Sequence, residues 1–437
     1  MTVIGILGIL AAFVLLIYMI MKGVNIFLTA FLCVVVVAVT GQIGLYEAFK
    51  VDYMTGFADF FKANFLIFLT GTLLGKAMDV TGAAKGIAKL IVRVLGDNLA
   101  FISVPLACGI LCFGGVSAFV CSFAVFPIAL QVFRAADLPR NYIPAALCFG
   151  CSTFAMVAPG APQIHNTIPA ATFETPISAG LVNGALSCGV MLIMGIVWLN
   201  IMLKKQKAAG AHFVPKPMDD FGSHEEQTPN GLLALVPLIV CICLINIKIN
   251  GAPIAPVEVG VLAGAVLTIL LFHRYIDTKQ IPEFFMEGCK TSITSITNTC
   301  AVVGFGTVVS HSAVFNDILN AMLNIPGPKL LGLCIGTTVI AGICGSASGG
   351  LGIACPLLGP AYVAQGVLPA VAHRVMSLSS AALDSLPHNG YIVTVTNGLC
   401  NETHKDAYMP IFKLTVVTPF IGSLVGVLLF TLFPMLP

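Results

Sequence analysis

Apolar runs of near-membrane length recur along the whole chain, separated by short polar or glycine- and proline-rich breaks. The pattern predicts helices over roughly 3–21, 24–42, 64–80, 99–113, 117–133, 142–158 and 178–202. A polar stretch from Lys204 to Pro229 follows, and it reads as a linker. A second set is predicted over roughly 231–247, 257–273, 291–311, 330–343, 349–365, 370–400 (interrupted) and 411–434. The division is therefore 1–203 for a first membrane repeat, 204–230 for a cytoplasmic linker and 231–437 for a second repeat. An odd count in each half makes the second half enter the bilayer with opposite polarity, as in an inverted-repeat transporter. Lys22, Lys85, Lys89, Arg93, Arg134, Arg140, the linker lysines, Arg274, Lys279, Lys290, Lys405 and Lys413 fall on one side, with Lys50, Lys62, Lys248, Lys329 and Arg374 as exceptions, which sets that side as cytoplasmic and the N-terminus outside.

Composition sharpens this. Of 437 residues, 58% are hydrophobic and only 9% charged, and mean hydropathy is +0.99. Soluble domains carry about 25% charged residues, so the bilayer is the solvent here and helices are the spanning elements. Few Tyr and Trp and no alternating-strand pattern exclude a β-barrel. Thr2 to Met21 lacks a basic leading region and a cleavage site, so it reads as a retained helix. A net charge of +2 with no dense basic run gives no reason to invoke nucleic acid. The 15 cysteines lie mostly inside apolar runs and read as small buried hydrophobes. Cys148 and Cys151 form a C-x-x-C without a second ligand pair, so neither a metal nor a cofactor is assigned.

Four interruptions carry the candidate chemistry: Gly114-Gly115-Val116-Ser117, Pro159 to Thr167, Gly345 to Gly350, and Asp384 to Gly390. A broken helix in hydrocarbon leaves backbone groups unpaired, so it persists only where protein, ligand or water takes them up. Two breaks fall in each half, and the halves align. Gly114 to Ser117 lies over Gly345 to Ser348, Gln163-Ile164-His165-Asn166 over Leu386-Pro387-His388-Asn389, and Gly75 over Gly306. Half-helix N-termini favour a carboxylate placed between them. The expected substrate-binding residues are Gly114, Gly115, Ser117, Gln163, His165, Asn166, Thr167, Gly345, Ser346, Ser348, His388 and Asn389. Asp384 and His388, four residues apart, are the expected proton-coupling pair. Gly71, Gly75, Gly304 and Gly306 read as close-packing positions. Lys76 and Asp79 read as an ion pair, and His311, His373, Arg374 and Glu174 as side chains snorkelling at segment ends.

The run Ala382-Leu383-Asp384-Ser385-Leu386-Pro387-His388-Asn389-Gly390, with Thr403 to Tyr408, Pro159 to Asn166 and Phe68 to Ala83, resembles the GntP family of gluconate permeases, especially its 3-hydroxybutyrate branch. The resemblance implies an all-α inverted-repeat transporter, working as a homodimer in the bacterial inner membrane, that takes up a small hydroxy acid anion with protons. The polar sequence at Leu386 to Gly390 departs from that of sugar-acid members, which favours a shorter acid such as 3-hydroxybutyrate over gluconate. Sodium is the alternative coupling ion, through unwound carbonyls near Gly345 to Gly350. A channel or antiporter without an organic substrate is the competing class, though no ring of acidic residues supports it. No G-x-S-x-G or H-E-x-x-H run supports an enzyme.

Overall fold

The computed structural model describes residues 2–96, 99–113, 117–161, 163–219, 229–249, 252–276, 281–323 and 325–434. Gly114 and Gly115 of the expected site lie outside the described residues. Helices dominate the described residues, and a two-residue hairpin pairing Lys248 with Pro253 is a minor addition. Among the described residues, eight helices are long and apolar enough to cross a membrane.

The first half runs α1 (Thr2–Met21), α2 (Ile26–Gly41), a π-helical turn (Glu47–Tyr53) leading into α3 (Met54–Val80), α4 (Ala83–Leu95), α5 (Ala100–Phe113), α6 (Ala118–Ala135), α7 (Ile143–Ser152), α8 (Ile164–Phe173) and α9 (Leu181–Ala208). The second half repeats the order. A short α10 (Gly231–Ala234) precedes α11 (Val236–Asn246) and α12 (Val257–Phe272). These are followed by α13 (Ile281–His311), α14 (Ala313–Leu323), α15 (Lys329–Cys344), α16 (Ala347–Ala364) and α17 (Pro369–Ser380). Next comes α18 (Gly390–Val393), continued by a π-helical stretch (Thr394–Leu399), and then α19 (His404–Phe412) and α20 (Thr418–Leu432), joined by a further π-helical turn.

α5 and α6 pack side by side, as do α15 and α16. Length does not single these pairs out, since α2 and α12 have 16 residues like α15. Each pair turns at a glycine- and serine-containing break, and the two pairs hold the same place in the two halves. Each pair is therefore a helical hairpin that enters the membrane and returns. α7 and α8, about 15 Å each, together make one broken crossing, as do α17 and α18 with its π extension. Each half then crosses five times: three continuous helices, one broken helix and one terminal helix. The sequence predicts seven segments per half; setting the hairpins apart leaves five.

The two halves interlock. One apolar core joins α4 to α7 of the first half with residues of α11, α12 and the 391–414 stretch. The other joins α1 and α2 with α13 and α15 to α17 and with Val427 and Phe430 of α20. α3 and α13 lie against each other along their length. Gly304 permits this: a Cβ there would stand 2.8 Å from the carbonyl oxygen of Tyr53. Gly71 and Gly75 serve the same end against Phe123 of α6, as small residues do in membrane helices.

α9 runs on to Ala208, and the chain then folds back over the loop after α6. His212 Nδ1 stands 2.7 Å from Asp137 and the Phe213 N–H donates to the same carboxylate at 3.0 Å, which holds the Asp137 carboxyl below the usual range. Asp219 pairs with Arg140, whose other amino group donates to Glu402 at 2.5 Å, and Lys216 pairs with Glu402 at 2.7 Å. The linker is thus tied to both halves through charges that are almost wholly buried, apart from the partly exposed Lys216.

Candidate functional site

In each half the end of the hairpin's first helix meets the break in a neighbouring helix. In the first half the chain leaves α7 at Ser152, runs irregularly to Gln163 and restarts as α8. Gln163 stands at the N-cap of α8, and its side-chain amide donates to the carbonyl of Cys112, at the end of α5, at 2.5 Å. In the second half Asn389 is the N-cap of α18: its Oδ1 accepts from the Ile392 N–H at 2.9 Å, and its Nδ2 donates to the carbonyl of Gly345 at 3.0 Å. In both halves the amide side chain at the N-cap position reaches a carbonyl at or near the end of the hairpin's first helix, but only Asn389 also caps its helix; Gln163 makes no capping hydrogen bond. The hairpin returns are matched as well. Ser117 caps α6 by accepting from Val120 N–H at 3.4 Å, and Ser346 caps α16 by accepting from Gly349 N–H at 3.3 Å.

Register by helix start pairs Ser117 with Ser346 and Gln163 with Asn389. The sequence alignment of the halves instead pairs Ser117 with Ser348 and Gln163 with Leu386. His165 and His388 accordingly stand on opposite sides of their caps, His165 in the first turn of α8 and His388 just before Asn389.

Polar groups at the two junctions divide into committed and open. Asn166 is committed: its Nδ2 donates to the carbonyls of Ala158 at 3.0 Å and Ala161 at 2.9 Å, and its Oδ1 accepts from Arg374 at 2.5 Å and Ser377 at 3.1 Å. Arg374 is fully buried and also donates to the carbonyls of Val157, Ile177 and Ala179 at 2.8–2.9 Å. One guanidinium of the second half thereby fixes the first-half break. The snorkelling expected of Arg374 and His373 does not occur, since both have 0% exposure and α17 packs on protein, not on the bilayer surface. His373 Nδ1 lies 2.7 Å from the Thr175 hydroxyl.

The open groups are different residues. His388 Nε2 lies 3.0 Å from the carbonyl of Gly342, while its buried Nδ1 has no hydrogen-bond partner. Both ring nitrogens of buried His165 have none. The Ser346 and Ser348 hydroxyls bond each other at 3.0 Å on a half-exposed turn. Thr167 is exposed. Buried polar atoms are nearly always satisfied in folded proteins; those of His165 and His388 stand unpartnered at the two breaks, as do buried side-chain atoms of Tyr53, Asn183, Ser292, His373, Thr396 and His404 elsewhere.

Asp384 is buried and accepts from the Ser385 hydroxyl at 2.8 Å. The carbonyl of Ser385 accepts from Tyr408 at 3.1 Å. Among the described residues no hydrogen bond or ion pair joins Asp384 to His388, because the turn from Asp384 to Asn389 sends one side chain toward Ser385 and the other toward the α15–α16 tip. Lys76 pairs with Glu287 of α13 at 2.9 Å.

A narrow crevice of about 70 Å³ opens between α3, α6 and α13, lined by Thr72, Lys76, Phe123, Arg140, Met218 and Thr291. It runs from the linker toward the centre of α6. Outside the crevice lining, the Ser122 hydroxyl lies 2.6 Å from that of Tyr391, joining α6 to α18.

The protein-family comparison matches residues 9–436 to the model described as "Tripartite ATP-independent periplasmic transporter, DctM component". The chain is 31% identical to the uncharacterized transporter YxjC of Bacillus subtilis over 94% of this chain and 95% of that protein. It is 22% identical to an uncharacterized transporter of Haemophilus influenzae over 78% of each. Among solved structures, the YdaH transporter of Alcanivorax borkumensis is similar at a TM-score of 0.44 and 16% identity, over 90% of each chain. The match over nearly the whole chain overturns the resemblance to gluconate permeases, which rested on short runs around the helix breaks. The protein is a multi-pass membrane transporter, and it belongs to the DctM family of tripartite ATP-independent periplasmic transporters.

Proposed function

We propose that this chain is a secondary active transporter that moves a small organic acid anion across the bacterial inner membrane in symport with protons. The observation that carries the reading is the duplicated junction of hairpin tip and broken helix, where capped half-helix N-termini and unpartnered imidazole nitrogens come together. Half-helix N-termini stabilise an anion without a full counter-charge, which suits a site that must also release it. The substrate carboxylate binds beside Ser346, Ser348 and His388 from one half and His165 from the other. Asp384 carries the proton, and the crevice beneath the linker is the cytoplasmic passage. The words "ATP-independent" in the family description support coupling to an ion gradient. The 3-hydroxybutyrate assignment depended on the gluconate-permease resemblance and falls with it.

The test is uptake of labelled hydroxy and dicarboxylic acids into proteoliposomes under imposed proton or sodium gradients, with Asp384→Asn alongside. Proton-driven accumulation that disappears in the variant, while substrate exchange persists, supports the reading. Accumulation driven by sodium alone would move the coupling site to the hairpin carbonyls, and the absence of uptake for every acid would overturn the substrate class.

A further inference from the structure

Cysteines from three different elements converge at the first hairpin tip. Cys112 lies in the last turn of α5, Cys121 at the start of α6 and Cys151 near the end of α7. All three are fully buried, and their Sγ atoms lie within 4.8 Å of one another, with Cys112 and Cys121 at 3.4 Å. The Ser122 hydroxyl is 3.7 Å from Cys151 Sγ. Three sulfurs bound to one soft ion with bonds of about 2.3 Å stand about 4 Å apart, so this triangle closes on an ion with small side-chain shifts. Thiolates select thiophilic cations of the Zn2+, Cd2+ and Cu+ class over Mg2+ or Ca2+.

From this geometry we propose that Cys112, Cys121 and Cys151 form a three-sulfur site for a soft metal cation. Each ligating thiol gives up its proton, so a divalent ion held by all three releases three protons and leaves a net charge of −1. Cys121 sits in the N-terminal turns of α6, whose positive dipole end offsets that charge. Cys148, the other half of the C-x-x-C, is not a member of the triangle. A bound ion would tie α5, α6 and α7 together one residue before the tip and one residue before the break, and so hold the first junction rigid.

The test uses the purified full chain titrated with Cd2+, read by the ultraviolet thiolate-to-metal charge-transfer band and by X-ray absorption of the bound ion. One equivalent with a shell of three sulfurs is expected, unaffected by excess Mg2+. Cys112→Ser, Cys121→Ser and Cys151→Ser should each weaken it more than about tenfold, and Cys188→Ser should leave it unchanged. A band that survives all three serine variants overturns the site. Should a variant fail to fold, a wild-type ion shell of oxygen or nitrogen overturns it equally. The binding readout uses no organic acid, so it stands or falls apart from the transport reading.

Discussion

Arg374 holds together more of the first junction than any residue the apolar pattern singled out. Its guanidinium satisfies Asn166 Oδ1 and three backbone carbonyls at the first-half break and the loop after α8. Arg374→Ala strips these acceptors of their donor in a fully buried place, which costs about 3–5 kcal/mol on the scale of broken buried charge contacts. The expected outcome is a marked loss of thermal stability in detergent, with Arg374→Lys in between because one ammonium cannot reproduce the planar fork. Asn389 separates structure from latch. Asn389→Asp keeps the capping oxygen but replaces the donor to Gly345 with an acceptor, so uptake should fall at least about tenfold while the melting temperature moves only slightly. The residue types at the breaks were legible in the sequence, since Gln163, Asn166, His388 and Asn389 are conspicuous in apolar surroundings. Their division into clamps and open groups was not, because it depends on Arg374 reaching across from the other half.

At the scale of elements, the α15–α16 hairpin turns on one glycine. Gly345 has φ +59°, and a Cβ there would stand 2.7 Å from His388 Cδ2. Gly345→Ala therefore meets a left-handed backbone penalty of about 1–2 kcal/mol together with a clash against the histidine proposed to face substrate. Transport should drop sharply with protein yield largely retained. Gly349, on the same turn, is the control: a Cβ there meets only Ser346 and Cys344, at 3.6–3.8 Å, so Gly349→Ala should transport nearly as well as the parent chain. Comparing the two uptake rates at equal reconstituted amounts checks both. Most spanning elements were legible, because a lipid-facing helix must be apolar almost throughout. The sequence reading missed α4 and α14, short helices after the long crossings, and α8, which it took for part of a break. It began α3 and α13 ten residues late, at 64 and 291, where the structure starts them at Met54 and Ile281. Charged residues lower local hydropathy in these stretches: Lys85, Lys89 and Arg93 in α4, Asp59 and Lys62 in α3, and Glu283 and Glu287 in α13. A membrane-length window cannot register a helix that is half polar.

For the whole molecule, the family was misread where the architecture was read correctly, and the reason is physical. A capped break with a proline, a small polar turn and an asparagine solves the backbone problem of any interrupted membrane helix, so Leu386 to Gly390 reports the device more than the ancestry. The architecture has its own test. Five crossings per half put both termini on one face and the linker on the other. The linker binds Arg140 of the first half and Glu402 of the second at once, so those loops share its face. Lys204, Lys205, Lys207 and Arg134 predict that this face is cytoplasmic. Alkaline phosphatase fused at the N-terminus or after residue 434 should be active in cells, and the same enzyme inserted within 209–211 should be silent. Activity at the linker alone would reverse the orientation and leave the inverted repeat standing. Activity at one terminus but not the other would mean an even number of crossings in one half, so one element counted there as a crossing would have to be re-entrant or lie along the surface; a hairpin that crossed twice would leave the parity odd.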